Sequence, residues 1–107
     1  MKESPAGTTP PIMLLMDLLS RRWALRLLWE LRDGPQTYGV LQVRCGHISP
    51  TILSRRLNDL KAAGILAAHA QGYGLTALGA ELGPKLLDLS NWAAHWVRCQ
   101  AEQDQQG

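Results

Sequence analysis

Between Ile48 and Gly64, Leu53, Leu57 and Leu60 recur at intervals of four and three, the spacing of one face of an α-helix. Ser49 is a suitable N-cap, because its hydroxyl accepts from a free backbone N–H. Pro50 then falls at the first helical position, where a missing N–H is harmless, and Gly64 suits the C-terminal stop. The pattern predicts a helix over 49–63. At ~100° per residue, Thr51, Arg55 and Asn58 lie nearly opposite the leucine stripe, with Ser54 at its edge. One face is built for burial, and the other offers short polar groups and a guanidinium, as in a helix that reads a nucleic-acid groove. A solvated surface helix would look similar, so the neighbouring elements must decide.

Upstream, Pro10 and Pro11 open a helix to about Ser20. Ile12, Met13, Leu14, Leu15, Met16, Leu18 and Leu19 make it apolar nearly all round. A helix like that is covered on more than one side, by its own domain or by a second subunit. A second helix is expected over Arg22–Asp33, ended by Gly34-Pro35. It would bury Trp23, Ala24, Leu27, Leu28 and Leu31, with Arg26 and Glu30 on the far side. Gln36-Thr37 reads as an extended link able to make one sheet bridge. Tyr38–Arg44 reads as a short helix with Leu41 and Val40 inward. Cys45-Gly46-His47 turns into the helix at 49–63, and two short helices about a tight turn form a helix-turn-helix.

After Gly64 the period changes. Ile65–His69 and Tyr73–Leu75 read as two short strands around Gln71-Gly72, making a hairpin. From Thr76 a long helical segment carries an inner stripe of Leu78, Leu82, Leu86 and Leu89, and Gly83-Pro84 should kink it. Beyond the kink Leu89, Trp92, Trp96 and Cys99 share a face. Residues 1–9 and 100–107 are expected to be flexible tails around one domain over 10–99. The fold class is mainly α with a small β-hairpin, a winged helix-turn-helix.

A length of 107 residues fits a single domain,. The net charge is only +2, yet its distribution is uneven. From Arg21 to Ala63 eight bases (Arg21, Arg22, Arg26, Arg32, Arg44, Arg55, Arg56, Lys61) face three acids (Glu30, Asp33, Asp59), for a net +5. The flanks are net acidic. A polyanion partner is therefore expected for the centre alone.

Cys45 and Cys99 belong to no Cys/His cluster, so neither a metal nor any other cofactor is expected. They are candidate redox residues, set against the reading of two inert reduced thiols in a cytoplasmic protein. No Ser/His/Asp order, paired carboxylates or Gly-rich phosphate loop appears, and the chain is not expected to be an enzyme. No apolar run is long enough to span a bilayer.

Several joint motifs carry a family resemblance. Arg22-Trp23-Ala24-Leu25, Leu31-Arg32-Asp33-Gly34-Pro35 and Tyr38-Gly39-Val40-Leu41 resemble the opening signature of HxlR-type transcriptional regulators. Ile48-Ser49-Pro50, Leu53-Ser54-Arg55-Arg56-Leu57 and Ala63-Gly64-Ile65-Leu66 resemble the family's recognition helix and its exit. Tyr73-Gly74-Leu75-Thr76, Leu78-Gly79 and Trp92 resemble its closing signature. The match runs in order from Arg22 to Trp92. The related MarR and PadR groups share the architecture.

The resemblance implies a cytoplasmic, homodimeric DNA-binding regulator whose N- and C-terminal helices form the dimer interface. Interface candidates are Ile12, Leu15, Met16, Leu19, Leu89, Trp92 and Trp96. Candidate DNA-contacting residues are Thr37, Tyr38, Ser49, Thr51, Ser54, Arg55, Arg56 and Asn58. Arg and Asn there would grip guanine and adenine edges. Arg56 lies nearer the buried side, which suggests a phosphate contact or an internal ion pair, with Asp59 excluded as its partner by spacing. The operator would have approximate two-fold symmetry. The four tryptophans could line a pore for a small aromatic effector.

Two departures stand out. The hairpin is shorter than the family's usual wing and has no Lys or Arg at its tip. Residues 1–20 also lack the cysteine that redox-sensing relatives carry near the N-terminus. The competing function is a winged-helix protein-interaction module that has lost DNA binding.

Overall fold

A computed structural model describes residues 9–106. All of the expected tail over 1–9 except Thr9 lies outside the described residues. Six helices and one hairpin follow in order: α1 (Pro11–Leu19), α2 (Ala24–Leu31), α3 (Tyr38–Arg44), α4 (Pro50–Ala62), β1 (Leu66–His69), β2 (Gly72–Leu75), α5 (Ala77–Ala80) and α6 (Leu82–Gln106).

The leucine stripes meet in one core. Leu27, Leu28 and Leu31 of α2, Leu41 of α3, and Leu53, Leu57 and Leu60 of α4 are all buried there, together with Cys45, Ile48, Ile65, Leu66 and Leu86. Burying a side chain of this size contributes roughly 1.5–3 kcal/mol, so this cluster is what holds α4 in place.

The α2 helix begins two residues later than the pattern predicts. Trp23 adopts left-handed backbone, with φ +78° and ψ −12°, a conformation that costs an L-residue roughly 1–2 kcal/mol. Residues 20–23 therefore form a turn, closed by the Ala24 N–H donating to the Arg21 carbonyl at 3.0 Å. Trp23 is only half-buried and packs at the core's edge, with the Arg22 guanidinium 5.4 Å from its ring centre. At the other end of α2 the last turn tightens. Arg32 lies 3.7 Å over the Trp29 ring and donates to the Trp29 carbonyl.

The hairpin is antiparallel, in the register Leu66↔Leu75 to His69↔Gly72. Gln36 adds the bridge suggested by its extended link, exchanging both backbone bonds with Tyr73 at 2.8 and 2.9 Å. Gly72 sits at φ +124° against the Gln36 carbonyl, where any Cβ would collide.

The segment after Thr76 breaks at Glu81, ahead of the kink expected at Gly83-Pro84. Pro84 has no N–H for the Ala80 carbonyl, and its ring crowds that group. The helix therefore stops at Ala80 and restarts at Leu82, leaving Pro84 in the first turn of α6, where a donor is not needed. This changes the leucine stripe. Leu86 is buried and Leu82 half-buried, but Leu78 and Leu89 are exposed. Gly79, not Leu78, faces inward, against the Ile65 carbonyl. Val40 is likewise turned to solvent.

The α6 helix runs on to Gln106, past Gln100 where a loose tail was expected. Ala, Glu and Gln are good helix formers and continue it. From Leu87 to Gln105 every residue is exposed.

Candidate nucleic-acid interface

The α4 helix forms where its sequence predicts. The Ser49 hydroxyl accepts from the Ile52 N–H at 3.2 Å, and Pro50 follows it in the first turn. The helix closes at Ala63, and Gly64 takes φ +77°, the left-handed exit that glycine permits. Before it, Gly46 and His47 both carry positive φ, so the turn out of α3 is sharp. It is tied by the His47 N–H to the Gln42 carbonyl at 2.8 Å, and by Gln42 Nε2 to the Ile48 carbonyl at 3.1 Å. Gln42 is a residue the sequence reading missed, because nothing marks a lone glutamine as a turn lock.

With Leu53, Leu57 and Leu60 inward, Thr51, Ser54, Arg55 and Asn58 are all exposed on the outer side of α4. Among the described residues Arg55 enters no ion pair. Thr37 caps α3, its hydroxyl accepting from the Val40 N–H at 3.2 Å. Tyr38 reaches across to α4. Its hydroxyl donates to the Pro50 carbonyl at 3.1 Å and shares a hydrogen bond with Ser54 Oγ at 3.2 Å. Thr51, Ser54, Arg55 and Asn58 thus share the outer side of α4, and Tyr38 is joined to its first turns.

Arg56 departs from that group. Its side chain is only 15% exposed. Nε donates to the Arg22 carbonyl at 2.8 Å, and a terminal nitrogen lies 3.0 Å from Asp59 Oδ2. The spacing that was expected to exclude Asp59 in fact permits the pair, because residues three apart on a helix are neighbours. Arg21 reaches the other oxygen of Asp59 at 3.3 Å. Glu30 is shared in the same way by Arg26 at 2.8 Å and Arg44 at 3.3 Å. Arg32 lies 3.6 Å from Asp33, so among the described residues five of the eight central bases are paired and Arg22, Arg55 and Lys61 are not.

The hairpin is joined through Ala70 and Gln71, and His69 is its only basic side chain. The imidazole of His69 packs over Gly74, near Pro35.

The interface candidates divide by burial. Ile12 and Met16 of α1 are 58% and 55% exposed, and Trp92 and Trp96 of α6 are 57% and 47% exposed. The two tryptophan rings stack on each other, with centres 6.2 Å apart. Leu89 is also exposed, whereas Leu15 is half-buried and Leu19 packs against the chain's own core. Within one chain the tryptophans do not converge. Trp29 alone lines an apolar groove of about 330 Å³ between α2 and α6, with Leu25, Arg26, Leu86 and Leu89.

Cys45 is buried at the end of α3. Burial pushes its thiol pKa up, opposed by the Arg26 charge and assisted by Glu30. Cys99 is exposed, with its sulfur 3.7 Å from His95 Nε2. Among the described residues no group of three or more His, Cys, Asp or Glu could hold a metal ion, and no helix is long and apolar enough to cross a membrane.

Comparison with known proteins agrees with this architecture. Residues 18–101 match the model of the HxlR-like helix-turn-helix family. The HTH-type transcriptional regulator YvaP of Bacillus subtilis is 29% identical over 89 residues, covering 77% of this chain and 82% of that protein. The HTH-type regulator sll1512 of Synechocystis is 30% identical over 98 residues, covering 85% of this chain and 73% of that protein. The crystal structure of quinone-bound YodB from B. subtilis superposes with a TM-score of 0.73 at 27% identity, over 80% of this chain and 98% of that one. With its motifs, its helix-turn-helix and these relatives in agreement, the chain belongs to the HxlR-like helix-turn-helix family, a family of transcriptional regulators and not of enzymes.

Proposed function

We propose that this chain is a cytoplasmic homodimeric transcriptional regulator that inserts α4 into the DNA major groove. The observation that carries the reading is the outer face of α4. Thr51, Ser54, Arg55 and Asn58 stand exposed on a helix whose opposite face is locked into the core. Arg55 carries a free guanidinium for guanine, Asn58 an amide for adenine, and the two hydroxyls adapt to either base pair. Thr37, Tyr38 and Ser49 lie at the starts of α3 and α4, where N-terminal backbone N–H groups favour a phosphate. Arg56 holds the helix and makes no base contact.

Dimerisation is supported by the exposed apolar residues Ile12, Met13 and Met16 on α1 and Leu87, Leu89, Trp92, Trp96 and Val97 on α6. A monomer rarely leaves this much large apolar surface in water. Two-fold symmetry then places the two α4 helices on half-sites one helical turn or a multiple apart. A small aromatic effector is supported by the apolar groove beside Trp29 and by the quinone in the structure of the relative YodB.

The test is fluorescence anisotropy with duplexes from upstream of the gene encoding this chain, at low and moderate salt. Sequence-selective binding that weakens with salt is expected, because phosphate contacts release counterions. A folded dimer that binds no duplex at either salt, with or without aromatic ligands, would refute the reading. It would favour the interaction module that the short wing, without Lys or Arg, suggests.

A further inference from the structure

Asp59 sits where three elements meet. One carboxylate oxygen takes Arg21, in the turn after α1, at 3.3 Å, and the other takes Arg56 of α4 at 3.0 Å. Arg21 also reaches back to Asp17 of α1 at 3.4 Å. Arg56 in turn holds the Arg22 carbonyl, one residue before the left-handed Trp23. Backbone of that kind persists only where its surroundings over-determine it. A continuous chain of ion pairs and hydrogen bonds therefore runs from α1, through the 20–23 turn, to the inner edge of α4.

We propose that Asp59 is a positioning residue, clamped between Arg21 and Arg56, that fixes the rotation of α4 relative to α1 and so sets the half-site spacing the dimer accepts. The proposal rests on the dimeric DNA-binding reading above and deepens it.

The anchors and the candidate base-reading residues alternate along α4. Arg55 points out while Arg56 anchors, and Asn58 points out while Asp59 anchors. Each pair is separated by ~100° around the helix, so the clamp acts directly on the aim of the outer face. Side-chain tips lie about 5–6 Å from a helix axis, and a turn of about 20° moves them about 2 Å. That exceeds the range over which a base-edge hydrogen bond holds. Because α1 carries Ile12, Met13 and Met16 toward the proposed partner subunit, fixing α4 to α1 fixes it relative to the dimer axis. The clamp is partly shielded, with Arg56 and Asp59 mostly covered, so salt screens it less than it screens a surface pair.

The experiment begins with duplexes that the unaltered protein selects from a randomised pool about 30 base pairs long, enough for two half-sites a turn apart. One base pair is then inserted or deleted at the centre of the selected site, and affinities are measured for the unaltered protein and for Asp59→Asn, Arg21→Gln and Arg21→Lys. The unaltered protein is expected to discriminate against both altered spacings. Asp59→Asn and Arg21→Gln should lose about fivefold of that discrimination, a coupling of the size expected between contacting residues. Binding to an isolated half-site and the oligomeric state should stay unchanged, and Arg21→Lys should retain the preference. Arg21 is half-exposed, so Arg21→Gln folds and carries the test even if Asp59→Asn does not. An unchanged spacing profile in the variants would overturn the proposal. Equal loss on every duplex, half-sites included, would overturn it too, because that is the mark of general destabilisation. If the unaltered protein selects no duplex, the DNA-binding reading itself falls before any variant is made, and the proposal falls with it.

Discussion

Arg55 and Arg56 are neighbours in sequence with opposite surroundings, so truncating each should give opposite results. Arg55 is exposed and touches no acidic partner among the described residues. Arg55→Ala removes nothing that holds the fold, and the melting temperature should stay within about 1–2 °C, as for surface changes away from structural contacts. Its cost falls on DNA. A bidentate arginine–guanine contact contributes roughly 1–3 kcal/mol of discrimination, so affinity for the selected site should fall about 5- to 150-fold. The salt dependence of binding should also become shallower if the residue touches phosphate instead.

Arg56→Ala removes a 2.8 Å charged bond to the Arg22 carbonyl and a 3.0 Å ion pair with Asp59. A charge-assisted bond contributes roughly 1.5–3 kcal/mol. Arg21 remains to hold Asp59, so the lower half of that range applies, about 1.5–2 kcal/mol. For a domain of this size that lowers the melting temperature by roughly 6–15 °C. Thermal melts followed by circular dichroism, paired with anisotropy on one duplex, separate the two effects. A large melting shift for Arg55→Ala, or an unshifted melt for Arg56→Ala, would refute this assignment of roles.

Trp92→Ala and Trp96→Ala should shift the protein toward monomer in sedimentation velocity at micromolar concentration, because stacked aromatics at the centre of an interface are typical hot spots; a monomer–dimer balance unaffected by both would place the interface elsewhere. Iodoacetamide should label Cys99 in the native protein well before Cys45, as peptide mass spectrometry would report, and equal labelling would contradict the burial of Cys45. Burial raises the folded pKa of Cys45, so the unfolded chain loses that proton first as pH rises. Its contribution to stability is complete below the ordinary thiol range and declines above it, and denaturant midpoints in Cys45→Ala should lack this alkaline decline. Gly79→Ala should destabilise by roughly 1–3 kcal/mol, the usual penalty for overpacking, because its methyl group would meet the Ile65 carbonyl; an unchanged urea midpoint would show that this contact relaxes.

The helix-turn-helix was legible because its signals are local. Leucine spacing, the Ser49 cap, and glycines at Gly46 and Gly64 each specify structure within one turn of chain, whereas the capping of α3 by Thr37 emerged only from the structure. The extended link at Gln36 was legible because its signal is local too, but its bridge partner Tyr73, 37 positions away, was not. What escaped was set by distant partners or by steric detail. The start of α2 moved because Trp23 takes a left-handed conformation that nothing in its residue type requests. Pro84 acts on the carbonyl four residues back, so the discontinuity lies at Glu81 and not at Gly83-Pro84, and Leu78 is freed from the inner stripe as a result. Arg21 and Asp59 are 38 positions apart, and no local pattern links them. The Arg56–Asp59 pair lay at a legible helical spacing and was rejected wrongly. Tyr38 was read from its place at a helix start, whereas its hydroxyl joins α3 to α4.

The bare stretch of α6 has a consequence for how much working regulator a cell contains. Residues 87–105 are exposed throughout and meet their own chain only along the groove that Leu89 lines with α2, and a lone helix of about that length is marginal in water. If a second copy covers it, ordering of the helix and pairing of the chains become a single event. The competent form then accumulates with the square of expression at low abundance, until most chains are paired. A few molecules would scarcely act and a moderate supply would act fully, so the gene's output would pass through a threshold before any inducer is involved.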